Sequence, residues 1–412
     1  MRPCLPLTLL APIAALILEV GLMSAPAGAQ TRFTQDRIAI GFWVDPPADE
    51  SMDARYAEIA EANFTLVLGG FGARTPETVR RQLELCEKLD LRAVVSTAGL
   101  PPDQLPEGPA CWGYMLRDEP NARDFPALRA QVDAIRAARP GRLAYINLFP
   151  DYASPQQLGT DTYDEHVARF IKEVGVDVLS MDHYPLLQPG HDGRRAYCDN
   201  LDVMRNYSLQ EAIPFWNFFN TMPFGPHFDP TENALRWQVF TSLAYGARGV
   251  LYFCYWTPRG GEFPRGGAIL TAEGRRTRHY DQARRVNAAV KALGPTLMQL
   301  TSTAVLRLAP GGDAAAVLAD SPIKAINGGP HGDYLLGVFS HADGRRAVLL
   351  SNYDYLYTSW PTVEFDADLA SVREVSQETG GEVAVLDDSP DLEGLQLSLD
   401  SGAGRLFLMP PR

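Results

Sequence analysis

Short apolar runs alternate along this chain with longer stretches in which apolar positions recur every three or four residues. The runs at 38–44, 64–68, 91–96, 112–116, 143–148, 176–181, 214–219 and 249–255 predict β-strands. Between them, 76–89, 124–138, 164–174 and 231–245 carry the spacing of amphipathic helices. A β-then-α rhythm over some 250 residues has the size of a (β/α)8 TIM barrel. A doubly wound open sheet would show a glycine-rich phosphate turn after its first strand. This chain has Phe42-Trp43-Val44-Asp45-Pro46-Pro47 there instead. A last helix is predicted over 278–293, stopped by Gly294-Pro295. Beyond it the texture changes to short β-rich runs at 334–339, 347–351, 373–375, 395–399 and 405–409, separated by Gly, Asp and Ser turns. The expected architecture is an α/β barrel over 35–300 followed by a small all-β sandwich over 301–412.

Composition narrows the function. With 412 residues, 46% of them hydrophobic, the chain can build a large core. A formal net charge of -13 argues against nucleic acid as a partner, because phosphate binding needs a basic surface. Residues 1–29 have the form of a secretory signal: Arg2, an apolar stretch from Leu5 to about Met23, then the small-x-small site Ala27-Gly28-Ala29. Glu19 interrupts that stretch and weakens a membrane-anchor reading. The expectation is an exported protein, periplasmic or extracellular, with no stable membrane insertion once the signal is cleaved. Cys86, Cys111, Cys198 and Cys254 are widely spaced and form no CxxC pair, so no disulfide is specified.

In a barrel the chemistry gathers where strands end. The segment Cys111-Trp112-Gly113-Tyr114-Met115-Leu116-Arg117-Asp118-Glu119-Pro120 halts an apolar run on two acids, and Pro120 turns the chain out of the sheet. Asp45, Asn147, Asp182-His183-Tyr184, Asn220 and Trp256 stand near the other strand ends. Acids, amides and aromatics together suit a sugar. Carboxylates move protons and stabilise an oxocarbenium-like transition state, amides bind hydroxyls, and rings stack on the apolar sugar face. The competing role of a strand-end carboxylate is to cap a helix or bind backbone amides. Glu119 is the first candidate for catalysis. Asp118 either touches substrate or orients Glu119 or Arg117, since neighbours on a strand face opposite ways. Asp182 is the next candidate, and Asp45 a lesser one. His183 suits hydroxyl binding as well as proton transfer. Nothing calls for a cofactor or metal: GxSxG, GxxxxGK[ST], HExxH and a GxGxxG after a strand are all missing, and the histidines are scattered.

These residues carry a resemblance. Gly113-Tyr114-x-x-x-Asp118-Glu119-Pro120, Asp182-His183-Tyr184-Pro185 and Tyr252-Phe253-x-Tyr255-Trp256 resemble the barrel glycoside hydrolases of the clan that includes family-2 and family-42 β-galactosidases. Arg236-Trp237-Gln238-x-Phe240-x-Ser242-x-Ala244-Tyr245-Gly246-Ala247 is similar to the helix before the last strand in such enzymes. The resemblance implies a carbohydrate substrate and makes Glu119 the general acid/base. It also implies a second glutamate ending the seventh strand, where this chain has Phe218-Phe219-Asn220-Thr221, and an asparagine where it has Asp118.

Three outcomes follow. Asp182 could serve as nucleophile or as the base of an inverting reaction. Alternatively, the adjacent Asp118-Glu119 pair resembles hexosaminidases that use the substrate's own acetamido group, with Asp118 orienting the acetamide and Glu119 protonating the leaving oxygen. The third is a barrel that binds glycans without cleaving them. A polysaccharide lyase is the remaining enzymatic alternative.

Overall fold

The computed structural model describes residues 31–411 together with Met1, so the expected signal at 1–29 otherwise lies outside the described residues. Eight strands alternate with helices: β1 (Ala39–Phe42), α1 (Met52–Glu61), β2 (Leu66–Leu68), α2 (Pro76–Lys88), β3 (Arg92–Ser96), β4 (Cys111–Asp118), α3 (Phe125–Ala138), β5 (Leu143–Asn147), α4 (Pro155–Leu158), α5 (Tyr163–Val174), β6 (Leu179–Asp182), α6 (Arg194–Glu211), β7 (Phe215–Asn220), α7 (Glu232–Ala244), β8 (Gly249–Phe253) and α8 (Arg278–Leu297). The strands form two parallel sheets, ordered β2-β3-β4-β5 and β1-β8-β7-β6. The outer strands of the two sheets also meet. The Thr65 N–H, just before β2, donates to the Ile40 carbonyl at 2.9 Å, while the Ile40 N–H donates to Thr65 Oγ1 at 2.8 Å. At the other side the Leu148 N–H donates to the Ser180 carbonyl at 2.8 Å.

Every strand predicted from the apolar runs is present, with shifted ends. Two of those shifts matter for the site. β1 ends at Phe42 and β8 at Phe253, so Asp45 and Trp256 lie in the loops beyond. The helices begin where their caps dictate. Thr75, Thr162 and Thr231 accept the N–H of Thr78, Glu165 and Ala234 and satisfy otherwise unpaired donors of α2, α5 and α7. The predicted stop at Gly294-Pro295 is not observed. α8 runs on to Leu297, giving up only the hydrogen bond that Pro295 cannot donate.

One face of the parallel sheets buries Leu66, Leu68, Val94, Trp112, Leu143, Tyr145, Trp216, Phe218 and Leu251 against one another. Trp216 is the hub, its ring 5.9 Å from Trp112 and 5.7 Å from Tyr145. Successive side chains on a strand alternate faces, so Trp216, Phe218 and Asn220 share this side of β7. Gly113 makes the tight seam between β4 and β5 possible. A Cβ there would overlap the Leu143 carbonyl.

The rest is antiparallel: β9 (Leu300–Leu308), α9 (Ala314–Leu318), β10 (Ile323–Asn327), β11 (Tyr334–His341), β12 (Arg346–Asn352), β13 (Thr362–Phe365), β14 (Arg373–Val375), β15 (Glu382–Ala384), β16 (Leu395–Gln396) and β17 (Gly404–Met409). A six-stranded sheet, β15-β14-β17-β12-β11-β9, faces a three-stranded one, β10-β13-β16. Ile323, Leu336, Val348, Leu350, Val363, Phe365 and Phe407 fill the space between. The other face of the larger sheet packs on α7, which explains why that helix is buried on nearly every side. Among the described residues no helix is long and apolar enough to cross a membrane.

Candidate functional site

β4, β5 and β6 bring three carboxyl groups to one strand end. Asp118 and Asn147 are register partners on β4 and β5, and the Glu119 N–H donates to the Asn147 carbonyl at 2.9 Å. The Asn147 amide nitrogen reaches Asp182 at 2.9 Å and Asp118 at 3.2 Å. Its carbonyl accepts from Ser180 Oγ at 2.9 Å, and Ser180 in turn meets the Tyr145 hydroxyl at 2.8 Å. Asn147 therefore spends both amide hydrogens on carboxyl groups. It is a bridge inside the protein, whereas the sequence suggested a hand for sugar hydroxyls.

The three acids have different surroundings. Asp182 is only 7% exposed and hydrogen-bonds with Asn147 and the Tyr184 hydroxyl. Burial first, then the charges of Glu119 and Asp118, hold its carboxyl well above the usual range. Glu119 is half-buried. Burial pushes it up to about 7, and the Asp118 charge beside it adds to the rise. Asp118 is also raised by burial, but the Asn147 hydrogen bond works the other way and favours its charged form. Asp118 keeps an exposed surface although protein atoms crowd its carboxyl, as at the floor of an open cleft. Within the adjacent pair, the Asp118 charge favours the protonated form of Glu119.

Glu119 also has an unusual backbone, with φ of 46°, in the left-handed region that favours glycine and asparagine. Such conformations cluster where function over-determines the chain.

The other predicted site residues divide. Tyr184 belongs to the cluster through Asp182, and its ring lies 5.2 Å from both Phe224 and Phe253. Asn220 stands beside Phe253 in register, fully buried, with neither side-chain polar atom hydrogen-bonded among the described residues. His183 contacts the Tyr152 ring at 5.0 Å. Its Nδ1 pairs with Asn200 at 3.0 Å and lies 3.4 Å from Asp151, so it braces the loop after β5. Asp45 is 2% exposed and accepts the N–H groups of Phe71 and Gly72 at 2.8 Å and of Ala73 at 3.2 Å. Its place is an anchor for the loop before α2. Trp256 has the Arg55 guanidinium over its ring at 5.4 Å and Gly274 against its edge. That face is occupied by protein.

Two participants were not read from the sequence. Tyr152 is 58% exposed, yet its hydroxyl is raised by burial first and then by the neighbouring Asp182 and Glu119 carboxyls. Phe253, rather than Trp256, ends β8 and supplies the aromatic wall next to Tyr184. The loops after β7 and β8 add a cavity of about 310 Å³ lined by Phe224, His227, Glu262 and Arg265. His227 and Phe224 lie against Tyr184, one layer from Asp182.

No family model matches this sequence, and no curated protein matches it. Solved structures do. A β-galactosidase from Bacillus circulans sp. alkalophilus is similar with a TM-score of 0.55 at 10% identity, over 90% of this chain and 99% of that one. A glycoside hydrolase family 5 protein from Bacteroides vulgatus gives 0.56 at 11% identity, over 91% and 89%. A β-galactosidase from the psychrophilic Marinomonas ef1 gives 0.48 at 13% identity over 62% of this chain. The chain spans 60% of that enzyme's length. At such identities the likeness is one of fold alone, shared with the two proteins aligned over most of this chain.

Proposed function

We propose that the protein is an exported glycoside hydrolase whose eight parallel strands close into a (β/α)8 barrel, and that it cleaves bonds to 2-acetamido sugars. The hydrogen bonds joining β1 to β2 and the segment after β5 to β6 support the closure. The observation that carries the chemistry is the placement of three carboxyls: Glu119 and Asp118 adjacent at the end of β4, and Asp182 buried on the far side of the Asn147 amide. A nucleophile must be ionised and must reach the anomeric carbon. Asp182 is buried, and that burial disfavours its ionised form. Asp118 is bonded to Asn147 and adjoins the acid on β4, so it is not a carboxylate supplied by a facing strand. Direct displacement needs a group across the ring.

A substrate that brings its own nucleophile removes the difficulty. The acetamido oxygen attacks the anomeric carbon, the glycosidic C–O bond breaks, and the Glu119 proton passes to the leaving oxygen. Asp118 accepts the acetamido N–H and offsets the positive charge on the resulting oxazolinium ring. Water then opens that ring and gives its proton to Glu119.

The test is turnover by the full chain on aryl 2-acetamido-glycosides and their 2-hydroxy counterparts, with inhibition by a stable thiazoline mimic of the intermediate. Preference for the acetamido substrates with tight thiazoline inhibition is expected. Equal turnover of the 2-hydroxy sugars would sink the proposal.

A further inference from the structure

The loop between β12 and β13 carries large side chains that the sandwich core does not take up. Leu356, Tyr357 and Trp360 are 68%, 72% and 53% exposed. Burying such groups would stabilise the fold, so leaving them together in water needs a reason. The loop is not slack. Asn352 donates its side-chain amide to the Tyr357 carbonyl at 2.8 Å, and Asp354 accepts the Leu356 N–H at 2.7 Å. These bonds, with the reciprocal backbone bonds between Ser359 and Leu399, hold Tyr357 and Trp360 at the wall of a cavity of about 770 Å³, shared with His331, Asp333, Asn352 and Asp354.

The lining has a definite chemistry. Aromatic faces give a platform for a flat apolar surface, and carboxylates accept hydroxyl or amide hydrogens. Asp333 is ion-paired with Arg307, so the cavity offers little free positive charge to an anion. The chain as a whole is acidic, at -13. Phosphate-bearing and uronate ligands are thereby disfavoured.

The position of the cavity adds the second argument. Tyr353 and Tyr355, which begin this loop, lie under the Arg194 guanidinium at 5.4 and 5.8 Å. Arg194 opens α6 and is paired with Asp192 at 2.8 Å. The segment that ends at Arg194 starts beside Asp182 and Tyr184. The loop that walls the cavity is thus held against the loop that leaves the carboxyl cluster.

We infer that this cavity is an accessory binding site for uncharged glycan chains, formed by Tyr357 and Trp360 with Asp333 and Asp354 as hydroxyl acceptors. It holds a polymer against the protein beside the catalytic mouth. The inference rests on the carbohydrate reading above, but its test is separate from turnover.

Affinity electrophoresis of the full-length Glu119→Gln chain, in gels cast with glycol chitin, galactan or polygalacturonate, reads binding without cleavage. Retardation by at least one neutral polymer is expected, weakened about tenfold or more by Trp360→Ala and by Tyr357→Ala. Polygalacturonate should not retard the chain. In the otherwise wild-type enzyme, Trp360→Ala should leave kcat/KM on a short aryl glycoside unchanged and lower it on polymer. Absence of retardation by both neutral polymers, or retardation indifferent to both substitutions, overturns the inference. Trp360-dependent retardation by polygalacturonate alone overturns the ligand class. Trp360-dependent binding by a protein that cleaves nothing upholds this site and overturns the hydrolase proposal.

Discussion

Asn147 donates its side-chain amide to Asp182 at 2.9 Å, from a position where the same nitrogen lies 3.2 Å from Asp118. The two carboxyls are thereby tied to one group, yet only one of them faces solvent. That asymmetry sets what each can do, and it makes the acids separable by experiment.

Glu119 must carry a proton to act as the acid, and its value is about 7. kcat/KM is therefore expected to fall about tenfold per unit as pH rises above that value. On the acid side it falls as Asp118 is protonated, above the ordinary aspartate range because burial raises that group. Glu119→Gln should lower kcat by roughly 10²–10⁴ and abolish the alkaline limb. A pH–rate profile whose alkaline limb survives the substitution would assign the acid elsewhere.

Asp118→Asn and Asp182→Asn are expected to differ sharply. Asparagine resembles a neutral aspartic acid in shape, so Asp182→Asn should fold with an unchanged or higher Tm and keep a measurable share of activity. Asp118→Asn removes the charge that faces the oxazolinium ring and should lose roughly 10²-fold or more in kcat. The reverse ranking would make Asp182 the nucleophile or base.

Asp45 gives a stability prediction with a definite sign. Burial raises it from 3.8 to about 6 despite three backbone hydrogen bonds. Between those values the unfolded chain releases the proton while the folded one keeps it, so this group makes stability fall as pH rises through that window. The loss is about 3 kcal/mol from a shift of this size. Urea unfolding of the wild type and of Asp45→Asn at pH 3, 5 and 7 should show the difference between them changing by about that amount. kcat/KM should be little affected, in contrast to a substrate-binding role.

Gly113→Ala is expected to be severe. Its Cβ would overlap the Leu143 carbonyl, forcing β4 and β5 apart. A loss of roughly 3 kcal/mol or more belongs to backbone clashes of this kind. Activity should drop with it, because Glu119 is hydrogen-bonded to Asn147 across the same seam. Thermal unfolding together with turnover below Tm measures both effects.

Strand rhythm and the acid pair were legible because they are local: apolar runs mark buried strands, and Pro120 marks where one stops. The functions of Asp45 and Asn147 were not. A carboxylate after a strand looks the same whether it meets sugar or backbone amides. The signal for Asp45 was the glycine-rich run at 69–72, since a Cβ at Gly72 would overlap the Pro46 carbonyl. Asn147 bridges two acids only because register places β4, β5 and β6 side by side. Tyr152 follows Pro150 in an irregular loop, where no periodicity shows which way a ring turns. β9, β10, β13 and β15 were missed because their outward residues are mixed and their pairing is distant.

The left-handed backbone at Glu119 has a consequence for how this chain would evolve. Glycine or asparagine would sit there more comfortably than glutamate. In a library screened for folding alone, residue 119 should drift toward those two types. In a library screened for turnover it should stay glutamate. The identity recovered at this one position would therefore report which pressure a lineage had been under.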